Sequence, residues 1–217
     1  MGLLDRWRRR GSAPDRPPRR SRRRAAPAAA PVRESVLRER LHEDPNDREA
    51  FDTLVETVRT RASEAHEGDA SPEDARTAAD NAVWALAEEL AQSPRAWRPL
   101  LVLGRLSLAD DREAALRRLG IAAERDTSGT ALAQALQVLR EAGMNDEALS
   151  LGVGHWRPRE HDLEAGRHLV AAAIDAGRLA EARRHLKALG DHPDQGRAAQ
   201  LSGELEEAIG RADRDRR

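Results

Sequence analysis

The sequence predicts an all-α fold, a solenoid of antiparallel helix pairs behind a disordered basic N-terminal arm. Three observations predict it. From residue 34 onward apolar residues recur at i, i+3, i+4 and i+7, and no stretch alternates as a half-buried strand would. A Glu-Ala pair returns at an interval of 34 residues, in Glu113-Ala114, Glu147-Ala148 and Glu181-Ala182. Aromatic residues are scarce: Tyr is absent, and only Trp7, Phe51, Trp84, Trp97 and Trp156 occur in 217 residues. The core therefore rests on Leu, Val and Ala, which suits helix packed closely on helix.

The arm comes first. Residues 1–33 hold 11 Arg against Asp5 and Asp15, a balance of +9, and the remainder balances at −10, giving the net charge of −1. Within it, "GSAPDRPPRRSRRRAAPAAAPV" (residues 11–32) has five Pro and almost no large apolar side chain. Such a segment cannot bury enough surface to offset its ordering entropy, so disorder is expected over 1–33. Leu3, Leu4 and Trp7 fall at helical spacing among Arg6, Arg8, Arg9 and Arg10, a composition suited to lying on an anionic membrane surface. Ten residues make a marginal helix in water, so a solvated tail is the alternative. The arm also suits nucleic acid through counterion release. Against that stand its single aromatic residue, which leaves base stacking poorly supplied, and the acidic body, which repels phosphate.

The charged start of "MGLLDRWRRRG" is not followed by the apolar stretch of a signal peptide, and no run approaches 18 apolar residues. A cytoplasmic protein is expected. Arg outnumbers Lys 36 to 1, which reads as a high-GC bacterial genome rather than as chemistry. With no Cys, disulfides, thiolate metal sites and Cys nucleophiles are excluded.

Helices then follow one another. "ESVLRERLHEDPND" reads as an orphan second helix. In "PNDREAFDTLVETV" the stripe is Phe51, Leu54, Val55 and Val58. "SPEDARTAADNAVWALAEEL" opens with Ser71 as N-cap, Pro72 in the first turn and Asp74 three residues on, and its stripe is Ala79, Val83, Leu86 and Leu90. Ser93-Pro94 repeats that start signal. Later stripes are Leu132, Ala135, Leu136, Leu139 and Leu179, Ala182, Leu186, Leu189. Gly143, Gly177 and Gly190 occupy positions expected for left-handed C-caps. Residues 34–196 form the repeat domain on this reading, and residues 197–217 a capping helix with a frayed tail.

Gly143 and Gly177 share the 34-residue interval, and turns recur nearby in "QSPRAW", "ERDTSG", "WRPREH" and "DHPDQG". With Leu103-Gly104 in "AWRPLLVLGRL" and the runs "GMNDEA" and "GRLAEA", the chain resembles the tetratricopeptide repeat family, in three units over residues 95–193. Residues 47–94 look like a further unit carrying about 15 extra residues around "TRASEAHEGDAS", since Pro45 and Pro94 stand 49 apart rather than 34. The family's usual aromatics within each pair are replaced by Leu, Val or Ala. The resemblance implies a right-handed superhelix and a protein-interaction role, with a concave face lined by the first helix of each pair. One branch of the family clamps C-terminal carboxylates with Lys and Asn. Here Lys187 is the sole Lys and Asn occurs only at positions 46, 81 and 145, so that clamp is not expected. Groove candidates are Trp97, Gln134, Gln137, Arg140, Arg167 and His168, facing a protein or peptide partner.

"LGVGHWRPREHDLEAG" (residues 151–166) gathers His, Trp, Arg and Glu. In repeat phase it is the joint between the third and fourth pairs: Pro158 makes the turn, Asp162 the N-cap, and Trp156 packs across. His161, Glu164 and His168 would share a helix face at i, i+3, i+7 if the helix began early. Seven residues separate the two His by about 10 Å of rise, too far for one ion, so neither metal nor cofactor is expected. His155 and His185 read as partly buried or surface side chains. "LGVGHW" lacks the spacing of a phosphate loop, Ser107, Ser128 and Ser150 lack a nucleophile elbow, and Glu88-Glu89 and Glu206-Glu207 read as solvated faces. No catalytic residue is nominated, and a non-enzymatic scaffold is the expectation. The alternative is an adaptor whose arm docks on anionic membrane or nucleic acid.

Overall fold

The computed structural model describes residues 29–65 and 71–216. Among these, the chain is ten helices without a strand, each packed on the next: α1 (Ala29–Glu43), α2 (Arg48–Glu64), α3 (Pro72–Ala91), α4 (Arg98–Ser107), α5 (Arg112–Arg125), α6 (Thr130–Glu141), α7 (Asn145–His155), α8 (Leu163–Asp175), α9 (Leu179–Leu189) and α10 (Gln195–Asp215). Helices α2/α3, α4/α5, α6/α7 and α8/α9 form four pairs. First helices also pack on first helices, α4 on α6 and α6 on α8. The basic arm, with its membrane and nucleic-acid expectations, lies outside the described residues up to residue 28. Helix α1 begins at Ala29, earlier than the boundary at 33. Pro31 falls in its first turn, where a missing N–H breaks no intrahelical bond.

The expected stripes form the core, with Val55, Val58 and Leu90 at its partly buried edge. Leu132, Ala135, Leu136 and Leu139 are fully buried, and so are Ala148 and Ala182, the small residues of the 34-residue phase. Gly104 lets α4 approach α5: a Cβ there would lie 2.7 Å from Leu119 Cδ2. Ser71 and Asp74 form a reciprocal capping box at the start of α3. The extra residues of the first pair are largely helix, since α2 continues to Glu64 and α3 starts at Pro72; residues 66–70 lie outside the described set.

Two start and stop signals were misread. Helix α4 begins at Arg98 with Pro99 in its first turn, so Ser93-Pro94 is a turn, closed by Ala96 N–H on the Ser93 carbonyl at 3.1 Å. Gly143 and Gly177 are left-handed, with φ of +72° and +73°, whereas Gly190 has an ordinary φ of −63°. There the chain leaves α9 through successive i→i+3 bonds, from the N–H groups of Gly190, Asp191 and His192 to the carbonyls of Lys187, Ala188 and Leu189. No left-handed residue is needed.

Candidate functional site

A groove of about 240 Å³ runs between the consecutive first helices α6 and α8. Because α6 turns Leu132, Ala135, Leu136 and Leu139 inward, Gln134 and Gln137, one turn apart, stand at its edge with Thr130. The small Ala133 keeps the floor open. From the other side come Asp162, the N-cap of α8, with Glu164 and His168. Gln137 Nε2 donates to Glu141 Oε1 at 2.8 Å.

His168 is held from behind. Arg140 Nη1 lies 3.1 Å from His168 Nδ1, while Arg140 Nε donates to Asp175 Oδ2 at 2.8 Å. A guanidinium only donates, so Nδ1 accepts and the neutral ring carries its proton on Nε2. Burial, and then the nearby Arg140 charge, hold this histidine below its usual pKa. At neutral pH the groove therefore offers two amides, a hydroxyl, a neutral imidazole N–H and two carboxylates. This set suits hydrogen bonding to an extended backbone.

Of the six residues nominated from sequence, Gln134, Gln137 and His168 meet in this groove, and Arg140 supports His168. Arg167 instead bridges α8 to α10, with Nε 3.2 Å from Glu164 Oε1 and Nη1 3.1 Å from Glu204 Oε2. Trp97 is a correction. It is only 9 % exposed, at the N-cap of α4, and belongs to the core. Its backbone N–H donates to Asn46 Oδ1 at 2.8 Å, which draws it toward the α1–α2 turn, and the Arg98 guanidinium covers its ring at 4.6 Å.

The 151–166 stretch forms the joint between the third and fourth pairs. Trp156, half-buried at the end of α7, lies against Gly166, where a Cβ would sit 2.8 Å from Trp156 Cζ2, and meets His185 edge-on with ring centroids 6.4 Å apart. Asp162 caps α8 by accepting from Glu164 N–H at 3.0 Å. Because α8 starts at Leu163, His161 lies before the helix and does not share the face of Glu164 and His168. His161 is instead a buried side chain of the turn. It is 4 % exposed and packed over Gly129, which has a φ of +82° and where a Cβ would lie 2.5 Å from His161 Cβ. Among the described residues no His/Asp/Glu group is arranged to hold a metal ion, and no helix is long and apolar enough to cross a membrane.

Sequence reasoning missed Thr130, Ala133, Asp162 and Glu164 as groove walls. Their signal was available: they are the first turns of two consecutive first helices. Comparison with protein-family models, curated proteins and solved structures finds no match to this chain.

Proposed function

We propose that this protein is a non-enzymatic, tetratricopeptide-like interaction scaffold, cytoplasmic, that holds an extended peptide of a partner protein between α6 and α8. The observation carrying this reading is the convergence of Gln134, Gln137 and His168 on one groove between adjacent first helices. Side-chain amides and an imidazole N–H pair with backbone amides whatever the peptide's side chains, and Asp162 and Glu164 favour a basic residue at the amino-terminal end of α8. The test is selection of a random displayed peptide library on the full chain. Enriched peptides should bind at least tenfold more weakly to a Gln134→Ala/Gln137→Ala/His168→Ala variant that melts like the parent. Failure to enrich, or equal binding to the variant, removes the reading.

A second reading rests on the charge asymmetry, +9 over residues 1–33 against −10 beyond. There the arm docks on an anionic membrane or nucleic acid while the helices hold a partner. Binding of the full chain to phosphatidylserine vesicles or to duplex DNA should then fall steeply between 50 and 200 mM salt, on the order of a hundredfold or more. A peptide held by the α6–α8 groove should respond far less.

A further inference from the structure

The stack is out of phase at its two ends. At the carboxyl end, α10 stands to α8 and α9 as α8 stands to α6 and α7. It also runs parallel to α8: Arg167 in the first half of α8 meets Glu204 midway along α10, and Arg216 at the end of α10 donates to the Gly177 carbonyl just beyond α8. So α10 takes the place of the first helix of a fifth pair, with no second helix packed on it among the described residues. At the amino end, α1 packs on α2 as a second helix packs on the next pair's first helix, and no described helix precedes it. Among the described residues, one end of the stack has an open second-helix position and the other presents a second helix.

The vacant position at the carboxyl end is a groove of about 520 Å³ between α9 and α10. Its floor is apolar, Leu186 and Ile209. Arg183 and Lys187 form the α9 wall, and the small Ser202 and Gly210 with Glu206 form the α10 wall. The face of α1 directed away from Leu37 and Leu41, which pack toward α2, is Val36, Glu39 and Glu43 at i, i+3, i+7. Val36 is 52 % exposed, and neither glutamate is ion-paired within the described chain. Lys187 likewise lacks a carboxylate partner there. The groove has two cations on its α9 wall and Glu206 on the other; Arg183 pairs with Asp213 at 3.6 Å, which leaves Lys187 as the cation open to the two carboxylates beside Val36.

We infer that the α9–α10 groove receives α1 of a second copy of this chain, so that copies join head to tail and α10 and α1 complete one helix pair across the junction. The contact is heterologous. It leaves a free head and a free tail at every step and grows into open chains rather than closing as a symmetric dimer. This junction uses a surface distinct from the α6–α8 groove.

Sedimentation velocity of the full chain over a concentration series up to about 1 mM, the range of weak contacts, tests it. The average mass should climb without a plateau at the dimer. Lys187→Glu alone, and Glu39→Lys/Glu43→Lys alone, should each weaken association about tenfold, since each places like charges at the junction. An equimolar mixture of the two variants should recover parental association, because both tail-to-head combinations between unlike copies then pair opposite charges. A monomer throughout, association untouched by either variant, a plateau at the dimer, or a mixture that fails to recover overturns the inference. Association abolished by deleting residues 1–28 with these charges intact would also overturn it, in favour of the arm as occupant.

Discussion

The joint between the first and second pairs and the joint between the third and fourth solve one problem with different chemistry. At the first, Asn46 in the α1–α2 turn uses nearly all its hydrogen-bonding capacity on the α3–α4 connection. Its Nδ2 donates to the Arg95 carbonyl at 2.9 Å, and its Oδ1 accepts from the N–H groups of Trp97 and Arg98 at 2.8 and 3.1 Å. Arg95 Nη2 returns a bond to the Glu43 carbonyl at 3.0 Å. At the later joint a single backbone bond links the turns, Asp162 N–H to the Ser128 carbonyl at 2.7 Å. Arg140 adds side-chain bonds between α6 and α8, away from the turns; at the turns the rest is packing, Trp156 and Leu189 on Gly166, and His161 on Gly129. Directional bonds hold the turns of the first joint, and the cores meet across it only through α3 and α4. Leu41, Ala50, Phe51, Leu54 and Leu86 form a cluster of their own, while the larger cluster runs from Ala87 of α3 to Ile209, and Val102 of α4 packs against both. Repeat stability propagates through interfaces, so the first pair should uncouple from the stack more readily than the others.

Overfilling the packed joint should have the largest effect. A Cβ on Gly166 would lie 2.5 Å from Leu189 Cδ2 and 2.8 Å from Trp156 Cζ2. Gly166→Leu should therefore cost ~3 kcal/mol in denaturant melts, despite the gain in helix propensity. Trp156→Ala alone, at a half-exposed site, should cost ~2–3 kcal/mol. In the double variant the penalties should fall well short of additive, because removing the indole vacates the space that the new side chain needs. Full additivity would mean that Trp156 does not set this joint.

The polar joint comes next. Asn46→Ala orphans the N–H groups of Trp97 and Arg98 and should cost ~2 kcal/mol. The loss should be local: hydrogen exchange should accelerate in α1 and α2 while α6–α9 keep their protection. Equal acceleration along the whole chain would erase the distinction drawn between the two joints.

How much of this could be read from the residues follows from the same contrast. The helices were legible because Leu and Ala recur with the helical period, and the pairs because Ala148 and Ala182 must stay small for one helix to reach another. Three of the seven groove residues were legible too, since Gln134, Gln137 and His168 are polar positions on first helices. Trp97 was not. Its place is decided by Asn46, about 50 residues upstream, and no local pattern reports a hydrogen bond over that separation. The burial of His161 was hidden for the same reason, depending on the left-handed Gly129 of another turn. Gly190 shows a different limit, because a glycine after a helix permits a left-handed cap without requiring one.

The smallest effect expected is an acid sensitivity confined to the packed joint. Burial, and then the charge of Arg157, hold His161 below the usual histidine pKa, although Asp126 and Glu160 oppose the shift; His155 adds to it. Burial, with Arg184, lowers His185 beneath Trp156 in the same direction. In the unfolded chain these rings titrate near about 6.5. A depressed folded value means that the unfolded state takes up protons first. The stability held by the neutral rings is therefore complete above about pH 6.5 and is lost as pH falls through the folded values, before the carboxylates titrate near about 4. The polar joint has no counterpart: its nearest histidine, His42, is exposed on α1. Hydrogen exchange at pH 7 and pH 5.5, corrected for intrinsic rates, should show protection falling in α7 and α8 and unchanged in α2 and α3. His161→Gln should flatten the response, since a neutral amide keeps polar bulk over Gly129 and takes up no proton in this range. A response of the same size at both joints, or one undiminished by that substitution, would place the titrating groups elsewhere and leave His161 as packing alone.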